Sequence, residues 1–194
     1  MNVMSESKQH ETVNHAKNVV GVGTSNLSNP SEEVKMLKLS VLRLSEKYRF
    51  RVADDEETVI RYSGLMQQYL MDKDEGITVA YPFDPIYVIH EDKAYAVIAG
   101  RHRCKAGIRA GMEEIPCIVL VDHVEAIQVG LSNNRHGLPL GKGDTAHCIR
   151  LAVKEVPDWS NRRISEMIGC CSSYVNRIVR EESLRPAGQT MCVE

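Results

Sequence analysis

The chain of 194 residues is long enough for one domain of ordinary size, or for a core domain with a small helical one beside it. It is 43% hydrophobic and 26% charged, as globular proteins are, and its net charge of −2 excludes a nonspecific polycation. The six cysteines lack C-x-x-C spacing and the seven histidines do not cluster with them, so we expect neither a disulfide framework nor a zinc site. We find no signal peptide and no long apolar run, and we expect a cytoplasmic protein without a membrane span.

The N-terminal third is predicted to contain an arm, a strand and a helix. Residues 1–34 are rich in Ser, Asn, Lys and Glu, and we interpret them as a mostly disordered arm. Alternatively, the apolar island Val19–Val22 adds a strand to the core. Residues 37–41 alternate between apolar and polar, which predicts a half-buried strand that ends near Leu42. Apolar residues at helical spacing predict an amphipathic helix over Glu56–Met71.

The middle of the chain is rich in predicted β structure. Two apolar runs at residues 86–89 and 94–98 flank a polar turn at residues 91–93, which predicts a hairpin. The second run ends at Gly100, and a segment of helical character begins directly at Arg101. A strand followed by a glycine and a helix start leaves backbone N–H groups unpaired at the helix N-terminus, where an anion can bind.

Three consecutive side chains add hydrogen-bond donors at this junction. Arg101, His102 and Arg103 lie at the helix start, and the guanidinium fork of arginine matches the oxygens of phosphate and carboxylate. We therefore interpret Gly100–Arg103 as a pocket for phosphate or another anion. The alternative is an ordinary strand-to-helix turn whose arginines make surface ion pairs.

The pattern continues as an α/β (α+β) core. Gly111 is placed to end the helix, Ile115–Val121 is a strongly apolar predicted strand, and His123–Leu131 is a predicted helix. We place the core domain at residues 35–140. The linking stretch 133–140 closes it.

The signature region of the ParB/sulfiredoxin superfamily is resembled by Gly100-Arg101-His102-Arg103, Ala106, Gly111 and Ile115-Pro116. The resemblance covers residues 36–140 and implies a ParB/sulfiredoxin-like core. The sulfiredoxin branch carries its catalytic cysteine between the glycine and the histidine. Arg101 occupies that position here, so sulfiredoxin chemistry is not expected.

The ParB branch of this superfamily has Gly-Glu-Arg-Arg in the same loop, which grips nucleotide phosphates. The resemblance therefore implies a phosphate role for Gly100 and Arg103 and, more loosely, for His102, with CTP and Mg²⁺ as the implied ligands. ParB proteins also carry a Glu-Asn pair that is involved with the metal and the triphosphate. Asn133 matches the asparagine, but Ser132 replaces the glutamate, which argues against metal-assisted hydrolysis.

A second motif follows the core and begins with a predicted helix over Asp144–Lys154. Ser160 is placed to cap a helix over residues 161–168, Gly169 to close it in a tight turn, and Ser172 to cap a second helix. The apolar residues predicted to face one another across the turn are Ile164, Ile168, Val175 and Ile178. This spacing is the helix-turn-helix pattern.

The candidate DNA-contacting residues lie on these two helices. Groups that can reach base edges and phosphates from a major groove are Ser172, Ser173, Asn176, Arg177 and Arg180. Arg162 and Arg163 on the preceding helix are candidates for phosphate contacts that fix the register. The alternative is a helical hairpin that only packs on the core. We interpret Cys170 and Cys171 as small half-buried residues rather than redox sensors.

The segment from Asn133 through His136–Leu140 to Asp144 is most similar to the StrR-like activators of antibiotic-cluster genes, which join a ParB-like core to a DNA-binding helix pair. We therefore predict a bacterial sequence-specific DNA-binding protein, associated with the nucleoid, with a helix-turn-helix region at residues 141–182 and a tail at 183–194. Its predicted partners are double-stranded DNA, a nucleotide and a second copy of the chain. A plasmid or chromosome partition factor is the alternative in the same class. A nucleotide-using enzyme, kinase or nuclease-like, is the alternative from another class.

Overall fold

The computed structural model describes residues 33–133 and 139–185, which form a mixed α/β fold around a five-stranded sheet. Its strands are β1 (Val34–Lys38), β2 (Leu42–Arg43), β3 (Ile86–Glu91), β4 (Ala94–Ala99) and β5 (Glu114–Leu120). Its helices are α1 (Glu56–Asp74), α2 (Arg101–Ala110), α3 (His123–Ser132), α4 (Lys142–Glu155), α5 (Asn161–Ile168) and α6 (Ser172–Glu181). In these two ranges no helix is long and apolar enough to cross a membrane. The predicted arm and most of the predicted tail lie outside the described residues.

The sheet has the strand order β1-β5-β3-β4-β2. β3 and β4 form the predicted antiparallel hairpin, and Asp92 in its turn has a φ of 51°. β5 runs parallel to β3, with Cys117 opposite Ile86, and antiparallel to β1. β4 therefore lies between two strands, and the carboxyl end of β4, where Gly100 follows, lies inside the sheet.

The strand predicted at residues 37–41 is wrong in its extent. β1 ends at Lys38, and a 3₁₀ turn over Leu39–Val41 leads into β2. Leu39 is nevertheless buried, because the turn directs it against Gly107 of α2, and its N–H donates to the carbonyl of Glu113 at 2.9 Å. A turn that buries one residue in the middle produces the same alternation of apolar and polar residues as a short strand.

Helices cover both faces of the sheet. α1 and α2 pack on one face over a cluster that includes Met66, Val97 and Ile115. On the other face, Ile98 and Leu120 lie in a second cluster with residues of α3 to α6. A sheet buried on both faces has continuously apolar strands, which explains the unbroken run predicted as β4.

The three C-terminal helices share this second cluster with the sheet. Ile149 of α4, Ile164 of α5 and Val175 of α6 are fully buried in the cluster that contains Ile98 and Leu120. All described residues accordingly belong to one compact unit. The division predicted between residues 140 and 141 stays a prediction about function.

The helices that glycine and serine delimit lie close to their predicted positions. Gly111 and Gly169 end α2 and α5 with φ 79° each, and the Ser160 hydroxyl accepts the N–H of Arg163 at 3.1 Å. The predicted cap of α6 is wrong. Cys171 is the N-cap, and Ser172 is the first helical residue.

Candidate functional site

The strand–glycine–helix junction is formed as predicted. Gly100 has φ 99° and ψ 25°, in the left-handed region, and precedes the first residue of α2. A Cβ at this position would lie 2.4 Å from Cγ2 of Ile86, so both the backbone angle and the neighbour require glycine. Since Gly100 supplies no side-chain cap, the first N–H groups of α2 face the space in front of the helix.

A cavity lies in front of this helix start. The sequence-predicted residues that line it are Gly100, Arg101, His102, Arg103 and Asn133. The remaining polar and aromatic lining comes mainly from Tyr48, Phe50, Arg51, Asp54, Thr58 and Tyr62. The structure thus brings Asn133, at the end of α3, to the same cavity as the residues of the Gly100 junction.

Arg101 is held by two carboxylates. Its Nε donates to Asp54 at 3.0 Å, and its Nη2 donates to Glu46 at 3.2 Å. Lys105 also donates to Asp54, at 2.5 Å. Burial by itself would raise the pKa of Asp54, but the Lys105 hydrogen bond and the Arg101 charge outweigh it and hold that pKa below its usual value. The positive charge of Arg101 is therefore partly neutralised before any ligand binds.

His102 is a neutral residue in this arrangement. The N–H of Asp55 donates to its Nε2 at 2.9 Å, which requires that nitrogen to be unprotonated. Burial lowers the pKa of His102 in spite of the nearby Asp54 carboxylate. The imidazole can offer an anion its Nδ1–H, but no charge. Its second task is structural, because Asp55 is the N-cap of α1.

Arg103 links the start of α2 to the loop before β3. Its Nη1 donates to the backbone carbonyls of Asp84 and Pro85. Burial lowers the pKa of its guanidinium, and Asp84 opposes that effect. Arg103 thus keeps further N–H groups of its fork for the cavity while one nitrogen is used in the fold.

The end of α3 supplies the polar atoms at the opposite side of the cavity. Nδ2 of Asn133 donates to the carbonyl of Val129 at 3.1 Å, which leaves its Oδ1 as an acceptor. Ser132 donates to the same carbonyl at 3.3 Å. Neither side chain is a carboxylate, so this wall has no general base.

An aromatic chamber adjoins the cavity and shares Tyr62, Arg103 and Asn133 with it. Tyr62 and Tyr81 both pack against Phe83, with ring centroids 4.6 and 6.0 Å apart. The Tyr81 hydroxyl is buried without a hydrogen-bond partner, and burial raises its pKa well above the usual value.

The only cysteine next to the junction is inert. Cys104 is 1% exposed, and burial raises the pKa of its thiol to about 11. A thiol of this kind is protonated at neutral pH and is a poor nucleophile. Within the described residues, no group of three or more His, Cys, Asp or Glu side chains could hold a metal ion.

α4 holds the loop that forms one wall of the cavity. Asp144 accepts the N–H of Val52 at 2.8 Å, and His147 donates to the carbonyl of Arg49 at 2.7 Å. The Cys148 thiol donates to the carbonyl of Phe50 at 3.1 Å. Three successive positions of the loop are thus tied to the first two turns of one helix.

The helix pair α5–α6 carries the second set of predicted residues. Their inner faces are buried, and the exposed members of the set are Arg162, Arg163, Ser172, Ser173, Asn176, Arg177 and Arg180. Ser172 bonds to Ser165 at 2.8 Å, where the two helices meet. Cys170 is half-buried as predicted, whereas Cys171 is exposed.

Several of these exposed side chains already have partners. Arg162 pairs with Glu166 at 2.9 Å, and Arg163 lies over the Trp159 ring, 4.1 Å from its centroid. Arg177 lies over the ring of Tyr174 at 5.0 Å. The aromatic contacts hold two guanidinium groups in place while leaving their N–H edges available.

Comparison with known proteins bears on the core. Residues 23–135 match the model of the ParB N-terminal domain, which is more than half of the chain. The chain belongs to the ParB N-terminal domain family. No curated protein matches it.

Solved structures agree on the ParB/sulfiredoxin-like fold. A C-terminally truncated chromosome-partitioning ParB from Caulobacter crescentus, complexed to the centromeric parS site, aligns with a TM-score of 0.51 and 19% identity over 78% of this chain and 73% of that one. The same protein complexed with CTP-γ-S gives 0.43 and 20%, over 79% and 81%. Sulfiredoxin from Arabidopsis thaliana gives 0.33 and 24%, over 51% and 97%.

The ParB family match ends at residue 135, before α4 begins. The cavity at Gly100 lies within the matched core, and the α5–α6 pair lies outside it. Sequence reasoning found the residues of the ParB core that are adjacent along the chain. It missed Asp54, Glu46 and Tyr81, which reach the same region from distant segments.

Proposed function

We propose that this chain is a sequence-specific DNA-binding protein of the ParB type that acts as a transcriptional regulator similar to the StrR activators. The observation that carries the proposal is the pair α5–α6, whose inner residues are buried and whose outer face is polar and basic. Membership of the ParB family supports it, and one ParB structure of similar fold is a complex with parS DNA. We place the protein on the nucleoid as a homodimer.

In this proposal α6 is the recognition helix of a helix-turn-helix. Ser173, Asn176, Arg177 and Arg180 would face the major groove, and residues 162 and 163 would contact phosphates. The Arg162–Glu166 pair does not oppose this role, because both side chains are more than half exposed. Exposed ion pairs contribute about 0–1 kcal/mol, so a phosphate can displace Glu166 at little cost.

The test is footprinting on DNA that flanks the protein's own gene, followed by affinity measurements. Arg177→Ala should weaken specific binding by about 1–3 kcal/mol if the side chain contacts a base. Arg162→Ala should weaken binding to all sequences alike and reduce the salt dependence. Arg61→Ala, an exposed arginine on α1 far along the chain from the helix pair, is the matched control and should change neither. Unchanged affinity for both helix-pair variants would refute the proposal.

We further propose that the Gly100 cavity binds a nucleotide of the CTP type through its phosphates. The open N-terminus of α2 and the free N–H groups of the Arg103 guanidinium support this. The cavity could accept Mg²⁺ only as ions commonly bind beside phosphates, through phosphate oxygens and water, with Asn133 Oδ1 as a protein ligand. With Ser132 in place of the family glutamate, we expect binding with little hydrolysis.

Calorimetry with CTP, then ATP, GTP and ADP, with and without magnesium, tests the nucleotide site. Arg103→Ala should abolish the binding heat, because it removes the side chain that lines both the cavity and the aromatic chamber. Arg109→Ala is the control, since this arginine lies on the same helix but pairs with Glu56 at 2.8 Å outside the cavity. Equal heats for the two variants would leave the junction a structural turn.

The alternatives predict different outcomes of these experiments. A partition protein would bind sites clustered near an origin or on a plasmid rather than promoters of individual genes. An enzyme on the same fold would turn over a nucleotide without DNA. Turnover in the absence of DNA would therefore favour the kinase-like or nuclease-like alternative.

A further inference from the structure

Asn176 lies on the exposed face of α6, but its side-chain oxygen is already engaged. Nδ2 of Asn161, the first residue of α5, donates to Oδ1 of Asn176 at 2.8 Å. Ser160 caps α5 directly before Asn161, which fixes the position of the donor relative to α6. The bond therefore determines which end of the Asn176 amide faces away from α5.

The two ends of an asparagine amide have opposite hydrogen-bonding character. The oxygen accepts, the NH₂ group donates two hydrogens, and the two atoms lie at opposite sides of the planar group. When the oxygen faces Asn161, the NH₂ group points away from it. Adenine recognition by asparagine uses both atoms together, because N7 of adenine accepts and its N6 amino group donates.

We propose that Asn161 is a positioning residue that sets the base preference of Asn176. Held in this orientation, Asn176 presents donors and selects a base edge made of acceptors, either N7 and O6 of guanine or O4 of thymine. Adenine and cytosine are disfavoured because their amino groups would face the NH₂ group. The inference rests on the proposed function, since it requires α6 to enter the major groove.

The sharpest variant changes the preference without altering a residue that touches DNA. In Asn161→Asp the new carboxylate can only accept, so it binds the NH₂ group of Asn176 and turns the Asn176 oxygen outward. The preferred base at the contacted position should then change from guanine or thymine to cytosine or adenine. Asn161→Ala removes the constraint altogether. It should reduce discrimination at that position, about five-fold or more in the wild type, to less than two-fold.

The experiment uses the full chain and a random pool of duplex DNA to select the preferred site. Competition with all single-base variants of that site then gives a preference for each position. Asn176→Asp complements the test, because a carboxylate at the reading position should prefer cytosine. Arg162→Ala is the control and should lower affinity for every competitor without changing any preference. Thermal melting verifies that each variant is folded.

The two proposals fail in different ways. If Asn161→Asp and Asn161→Ala leave every base preference unchanged while Arg162→Ala still weakens binding, Asn161 does not orient the reading amide and DNA binding stands. If the wild type selects no sequence from the pool, the proposed function fails, and the inference fails with it. A change of preference confined to one position would support both.

Discussion

At the scale of single residues, two glycines are expected to respond oppositely to the same substitution. Gly100 has φ 99° and no room for a Cβ, whereas Gly64 lies inside α1 with nothing within 4 Å. Gly100→Ala should lower the free energy of unfolding by about 2 kcal/mol or more, from the left-handed angle and the contact with Ile86. Gly64→Ala should raise it by about 0.5–1 kcal/mol. Chemical denaturation of both variants provides the comparison, and equal effects would contradict the geometry.

His102 should make stability depend on pH in a mildly acidic range. Its pKa is lowered in the folded chain, so the unfolded chain takes up a proton first as the pH falls. The wild type should therefore lose stability progressively below about pH 6.5, the ordinary histidine pKa, and show no such loss above it. His102→Gln can accept the Asp55 N–H through its side-chain oxygen but does not titrate. Melting curves that fall equally for wild type and variant from pH 6.5 to 5 would refute this assignment.

Residues adjacent in sequence were predictable at the site, and distant ones were not. Gly100 to Arg103 follow one another, so their shared location follows from a single strand–helix junction. Asp54 enters from a loop more than forty residues earlier, and no periodicity near it indicates that it neutralises Arg101. Likewise, the N–H of Asp55 occupies His102, and this long-range bond makes a predicted cationic donor neutral.

At the scale of elements, boundaries were predictable where one residue type has a specific backbone role. Gly169 ends α5 because a left-handed residue is needed there, and Ser160 begins it by capping. The start of α6 was missed by one residue because Cys171 and Ser172 are both small and Ser172 is a good cap. The hydroxyl of Ser172 instead bonds across to Ser165, a contact between helices that local rules cannot predict.

The cap at Ser160 provides a test at this scale. Ser160→Ala should destabilise the protein by about 1 kcal/mol, because the N–H of Arg163 loses its acceptor. Ser160→Asp should restore most of the loss, since a carboxylate accepts the same N–H and favours the positive end of the helix. Urea denaturation of the two variants measures both. Equal losses for Ala and Asp would mean that the hydroxyl acts otherwise than as a cap.

At the scale of the whole molecule, α4–α6 and the sheet should unfold together. Trp159, the only tryptophan of the chain, is 5% exposed in the cluster that also contains Ile98 and Leu120. Its fluorescence and the far-UV circular dichroism should therefore report one coincident transition in urea. A chain ending at residue 140 should lose cooperative unfolding, because one face of its sheet is left uncovered. Two separate transitions in the full chain would show that the helices form an independent unit.

The three bonds from α4 to the loop at residues 49–52 have a consequence for ligands. A molecule that moves this cavity wall must also move Asp144, His147 and Cys148, and with them the helix on which α5 and α6 pack. If a nucleotide in the cavity alters DNA affinity by some factor, DNA must alter nucleotide affinity by the same factor. A promoter fragment would then act as an effector of the nucleotide site, and titrating either ligand in the presence of the other would give one coupling constant.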